Sequence, residues 1–154
     1  MRKHSSVLSA IVVSALCFCV GSAASGEKWL AYEPAVVELK GKLTIVPKYG
    51  PPNYGENPET DEKVKVPILK LSQPVNVRAD PKRDLDAYNE SFNGVREVQL
   101  VFLTDTIRYG HLIGKQLVAK GTLFQAQTGH HYTKVLMTVS EIRELEKKPG
   151  EAQR

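Results

Sequence analysis

Gly129-His130-His131-Tyr132-Thr133 sets two imidazoles side by side in a short polar stretch. Imidazole is the commonest metal ligand and the side chain whose charge changes nearest neutral pH. Adjacent residues on an extended chain point to opposite sides, so His130 and His131 share one ion only if the turn bends them together. His111 and a carboxylate such as Asp86 or Glu90 would then have to complete a Zn²⁺ shell through folding. The plainer reading is a turn in which one ring packs and bonds to backbone while the other is solvated. No His-x-x-x-His pair at helical spacing is present.

Other residues invite chemical readings of their own. Asp80, Asp84, Asp86 and Glu90 resemble the acids that hydrolyse a glycan, where one carboxyl is protonated and one ionised. They sit in a polar stretch, and nothing nearby marks one of them for desolvation and a raised pKa. Ser72, Ser91 and Ser140 have no nucleophile-elbow context. No catalytic residue is therefore assigned. Tyr49 and Tyr54 stand among prolines, a stiff aromatic surface suited to contacts with protein or glycan, and Phe92 and Tyr132 are expected to join them. Asn89-Glu90-Ser91 matches a glycosylation sequon that matters only in a eukaryotic secretory route.

The elements that must position these residues read as strands and long loops. Val37, Leu39, Gly41, Leu43 and Ile45 alternate with Glu38, Lys40, Lys42 and Thr44, the period of a half-buried strand. Gly41 falls on its inward side, where a missing side chain permits the coiling that lets one strand serve two sheets. Residues 47–61 hold four prolines with Gly50, Asn53, Gly55 and Asn57, which predicts a long loop. Val64 to Leu71 and Val75 to Val77 read as short strand pieces limited by Pro67 and Pro74, and 79–94 as a second polar loop. Val95 to Leu103 is an apolar strand. The segment from Thr104 or Asp105 to Ile113 has an N-cap at its start and Gly114 after its end, which predicts a short helix. Gln116 to Gln125, with a second inward glycine at Gly121, and Val135 to Ile142 form the last two strands, and Glu141 to Lys148 a fraying helical turn or tail. Lys40, Lys42 and Lys120 align on the outer side if the first and fourth of these strands pair.

That order predicts a mainly β fold, a small five-stranded OB-like barrel with one short helix between its third and fourth strands. A generic β-sandwich or an open α+β sheet is the competing architecture. In an OB-type barrel the loop carrying His130 and His131 lies beside the usual ligand groove.

The N-terminus reads as an address. Arg2, Lys3 and His4 give a basic start, Val7 to Val20 an apolar or small run, and Gly21-Ser22-Ala23-Ala24-Ser25 a small-residue close. Cleavage after Ala24, or after Ala23, fits a signal peptide, and the run is shorter than the roughly 20 residues a membrane span needs. Cys17 and Cys19 both fall inside it, so the mature domain would hold neither disulfide nor thiolate. The precursor carries a net charge of +4, and loss of Arg2 and Lys3 leaves +2. Near balance and export together argue against nucleic acid as partner.

Tyr32-Glu33-Pro34 with Val37-Glu38-Leu39-Lys40-Gly41, Glu90-Ser91-Phe92 with Val95-Arg96-Glu97-Val98-Gln99-Leu100, and Gly121-Thr122-Leu123-Phe124 through Thr128-Gly129-His130-His131-Tyr132-Thr133 resemble the bacterial domain of unknown function 4431 family. The resemblance implies a bacterial envelope protein of unassigned activity and carries no catalytic residues with it.

The expected organisation is a signal peptide over 1–24, a lead-in over 25–34, the barrel over 35–145 and a tail over 146–154. The expected function is a non-enzymatic periplasmic or secreted binding domain that meets a protein or envelope glycan through Tyr49, Tyr54, Phe92, His130, His131 and Tyr132. No cofactor and no membrane segment after cleavage are expected. The alternative is a Zn-dependent protein or hydrolase centred on His130 and His131, with His111 as a further ligand.

Overall fold

The computed structural model describes residues 29–82, 88–104 and 107–146. The expected signal peptide, Asp84, Asp86 and the end of the tail lie outside the described residues. Six strands are present among the described residues: β1 Trp29–Ala31, β2 Val36–Tyr49, β3 Lys63–Arg78, β4 Phe92–Val101, β5 Gln116–Gln125 and β6 Val135–Glu144. They form one sheet in the order β1-β3-β2-β5-β6-β4, and β3 also pairs with β4. Following the pairings from β2 to β3, β4, β6, β5 and back to β2 returns to the start, with β1 added on β3.

Two glycines explain how so few strands turn through this circuit. At Gly41 strand β2 pairs with Leu71 on one side and with Leu117 on the other, where its partner changes from β5 to β3. A Cβ there would drive into the backbone carbonyl of Lys70. Gly121 lies at the register shift between β5 and β6, and a Cβ on it would meet the carbonyl of Thr138. Both sites need the backbone of the next strand closer than any side chain allows.

The inward face is aliphatic. Leu39 and Leu43 of β2, Leu69 and Val77 of β3, Val98 and Leu100 of β4, Leu117 and Leu123 of β5, and Val135 and Met137 of β6 close one core. Each such side chain, once buried, stabilises by about 1.5–3 kcal/mol. Tyr32 completes the core from the lead-in, with its hydroxyl donated to the Glu90 carbonyl at 2.9 Å.

Several expectations change in detail. β2 runs on through Pro47 to Tyr49, because Pro47 pairs with Lys65 across an antiparallel arm, so the loop starts at Gly50. The two pieces around Pro74 are one strand, β3. At Pro67 only β2 is paired, since β4 joins from Ile68, and Pro74 lies in the stretch where the β3–β4 register shifts. The lead-in contributes β1 and the core residue Tyr32, so the sheet has six strands rather than five. Of the expected helix over 104–113, in which 105 and 106 lie outside the described residues, one 3-10 turn is seen, Gly110–Leu112, between β4 and β5, and among the described residues no helix stands between β3 and β4. Tyr109 provides no side-chain cap for that turn, and Leu112, which enters the core, is its one buried residue. Glu141 to Glu144 continue β6 instead of fraying, because β5 pairs with them as far as Leu117.

Candidate functional site

Two loops meet over one end of this sheet. The first, between β2 and β3, is folded around Asp61. Its Oδ1 accepts from the Asn53 N–H at 2.8 Å and its Oδ2 from the Gly55 N–H at 2.6 Å. Burial by itself would raise this carboxyl, but the N–H donors of Gly55 and Asn53 outweigh it and hold the pKa below the usual value. The same bonds fix Tyr54 in the left-handed region, at φ 53°. That conformation costs a residue with a Cβ about 1–2 kcal/mol, so the surrounding bonds must over-determine it.

Tyr54 is thereby aimed at the second loop, between β5 and β6. Its hydroxyl lies 2.8 Å from His130 Nε2, and the two rings meet edge to face at 4.9 Å. Gly129 makes room, since a Cβ there would stand 2.9 Å from the tyrosine ring. A second tie runs in parallel: Tyr132 donates its hydroxyl to the Tyr49 carbonyl at 2.8 Å. Burial, with Tyr54 and Glu62 nearby, raises the Tyr132 phenol above its ordinary pKa.

Gln99 of β4 anchors the second loop from below. Its Oε1 accepts from the Tyr132 N–H at 2.7 Å, and its Nε2 donates to the His130 carbonyl at 3.0 Å. Its own N–H donates to Thr133 Oγ1 at 2.9 Å, and that hydroxyl donates to the Val135 carbonyl at 2.7 Å. An amide only 9% exposed thus commits both its oxygen and its nitrogen to the loop it holds. The signal for it was a polar residue inside the apolar run Val98-Gln99-Leu100-Val101, since a buried amide must find partners. Asp61, at the end of a loop rich in proline and glycine, was missed in the same way.

The two histidines point apart. His131 turns into its own loop, where Nδ1 accepts from the Gln127 N–H at 2.8 Å and its ring meets Phe124 edge-on at 5.5 Å. That acceptor role puts the proton of the neutral ring on Nε2. Burial first, and the neighbouring His130 second, lower its pKa. His130 remains exposed against Tyr54. His111 is exposed on the 3-10 turn between β4 and β5, an element apart from both loops. Among the described residues no three His, Cys, Asp or Glu side chains are grouped to hold a metal ion.

Phe92 joins the surface from the side. It lines a groove of about 520 Å³ with Tyr132, Asn93, Arg96 and Lys134, and the Lys134 ammonium lies 5.6 Å from the phenyl centroid. Of the acids in the second polar loop, Asp80 accepts from the Lys82 N–H in a turn, while Glu90 is tied through its backbone to Gln125 and Tyr32. Asn89 of the sequon spends its amide on Asp80, accepting from its N–H and donating to its carbonyl. The β2–β5 pairing does align the lysines, yet Lys120 lies opposite Glu38 and Glu141. Lys42 lies opposite Lys70, which is 3.9 Å from Glu97. The stripe is interleaved with acids.

Residues 97–143 match the family described as Domain of unknown function (DUF4431). The chain resembles that family over the second half of β4, the 3-10 turn, β5, the His130-His131 loop and most of β6. Gln99 and the whole loop it anchors fall inside the match, and Asp61, Tyr49, Tyr54 and Phe92 fall outside it. No curated protein and no solved structure matches the chain.

Proposed function

We propose that this chain is an exported, OB-like barrel domain that acts without catalysis, binding a protein or cell-envelope polymer through its two tied loops. The observation that carries the reading is the double tie of Tyr54 to His130 and Tyr132 to Tyr49. Two loops far apart in sequence become one pre-formed surface, and pre-forming a surface removes much of the entropy loss of binding. Tyr49 and His130 are exposed on it, and the groove between Phe92 and Tyr132 continues it.

The closed circuit of pairings, with β4 parallel to β6 and every other pair in the circuit antiparallel, supports the barrel reading. In such barrels these two loops flank the ligand face. The basic, apolar and small-residue succession of residues 1–24 supports export to the periplasm or medium.

The test is a pull-down from envelope extract together with a glycan-binding screen, using the wild type and a Tyr49→Ala/His130→Ala variant. Saturable capture lost in the variant is expected. Capture that the variant retains in full, or no capture by the wild type in either format, would sink the proposal.

A further inference from the structure

A second concavity reaches Gln99 beneath the second loop but is lined by no residue of the two tied loops. Ile45 follows Leu43 by two residues on β2, and Pro67 precedes Leu69 by two on β3, so both continue the inward face past the core. β4 pairs with β3 only up to Gln99, and beyond it the described residues Phe102, Thr104, Ile107, Tyr109 and Ile113 line the far side, with one 3-10 turn, Gly110–Leu112, among them. A cleft of about 770 Å³ remains, within the ordinary range of roughly 300–1,000 Å³ for small-ligand sites.

Its lining is mostly aliphatic and aromatic: Ile45, Pro67, Leu100, Val101, Ile107 and Ile113, with Phe102 and Tyr109 stacked on each other at 4.3 Å. The charged groups that line it are both cations. Gln99 spends its amide on the second loop, whereas the side chains of Lys65 and Arg108 make no ion pair or hydrogen bond with another described residue. No carboxylate is among the described residues that line the cleft; Asp105 lies outside them. A peptide or sugar would bring many polar groups here and leave most of them without partners, at a cost for each. A ligand with an apolar body and one anionic head has every group answered.

We propose that this cleft is a binding site for a single-chain amphiphile with an anionic head, the chain lying on Ile45, Pro67 and the Phe102–Tyr109 pair and the head held by Lys65 and Arg108. A fatty carboxylate and an alkyl phosphoester share that chemistry. The site uses no side chain of the tied loops, and either proposal can fail without the other.

The test titrates purified protein, below the critical micelle concentration, with dodecanoate, dodecyl phosphate and uncharged dodecyl maltoside, and separately with acetate and inorganic phosphate. Saturation of one site by at least one anionic amphiphile is expected, with dodecyl maltoside at least tenfold weaker and the small anions weaker still. Whichever head binds better identifies the source. Lys65→Ala/Arg108→Ala removes exposed charges only and is expected to lower affinity at least tenfold with unchanged circular dichroism. Ile45→Trp, filling the cleft, abolishes binding, and Tyr54→Phe leaves it unchanged. The proposal is overturned if neither anionic amphiphile saturates a site, if the maltoside binds equally well, if inorganic phosphate or acetate binds as tightly, or if the double variant keeps its affinity.

Discussion

Replacing Gln99 by Leu keeps roughly the volume of the side chain and removes both of its bonds to the second loop, without altering any residue on the exposed surface. The Tyr132 N–H at 2.7 Å and the His130 carbonyl at 3.0 Å lose their partners together. A typical hydrogen bond contributes about 0.5–1.5 kcal/mol net, and a buried group left unsatisfied costs about 1–3 kcal/mol. Both bonds are part-buried, so the groups they leave regain some water once the loop loosens. The expected loss is therefore that of two such bonds, about 1–3 kcal/mol, read as a lower urea midpoint at pH 7 with unchanged slope. Amide exchange localises the effect: protection at Tyr132 and His131 is expected to collapse while that of Val98 and Leu100 falls only with global stability. The partner-capture assay is expected to weaken too, because Tyr132 and His130 lose their support. A midpoint that corresponds to less than about 0.5 kcal/mol, or Tyr132 protection equal to wild type, would refute the reasoning.

Two further outcomes follow from neighbouring features. His131 has a folded pKa below its unfolded value of about 6.5, so the unfolded chain binds the proton more readily; its contribution is present above that pH and lost as pH falls through the window beneath it. Urea melts at pH 7 and pH 5 are expected to show a loss that His131→Asn diminishes, and an identical pH dependence in the variant would argue against the Nδ1 acceptor role. Gly121→Ala forces a methyl against the Thr138 carbonyl and is expected to destabilise by at least about 1–3 kcal/mol, whereas the same change at the open Gly110 is expected to cost little in the same denaturant assay.

The alternation from Val37 to Ile45, the inward glycines at 41 and 121 and the proline-rich stretch before Asp61 were legible because each is a local requirement. A period of two has one meaning for a half-buried strand, and a missing Cβ has one meaning on an inward face. The continuity of β3 through Pro67 and Pro74 was not legible, since a proline interrupts a strand only where a partner needs its N–H, and that depends on where β4 begins to pair. Among the described residues of the expected helix only Gly110–Leu112 forms a turn, for a similar reason: cap residues permit a helix but do not fix its length.

Among the site residues, sequence by itself determined the types: two tyrosines in a stiff loop, a His-His-Tyr run in another and Phe92 nearby. Only the tertiary structure decided their roles. It sent His131 inward to Gln127 and Phe124, His130 outward to Tyr54, and Tyr132 across to Tyr49. Those outcomes rest on Gln99 and Asp61, which sit outside the conspicuous motifs. Hydrogen bonds between residues 76 and 83 positions apart have no local signature, because they depend on which strands become neighbours when the sheet closes.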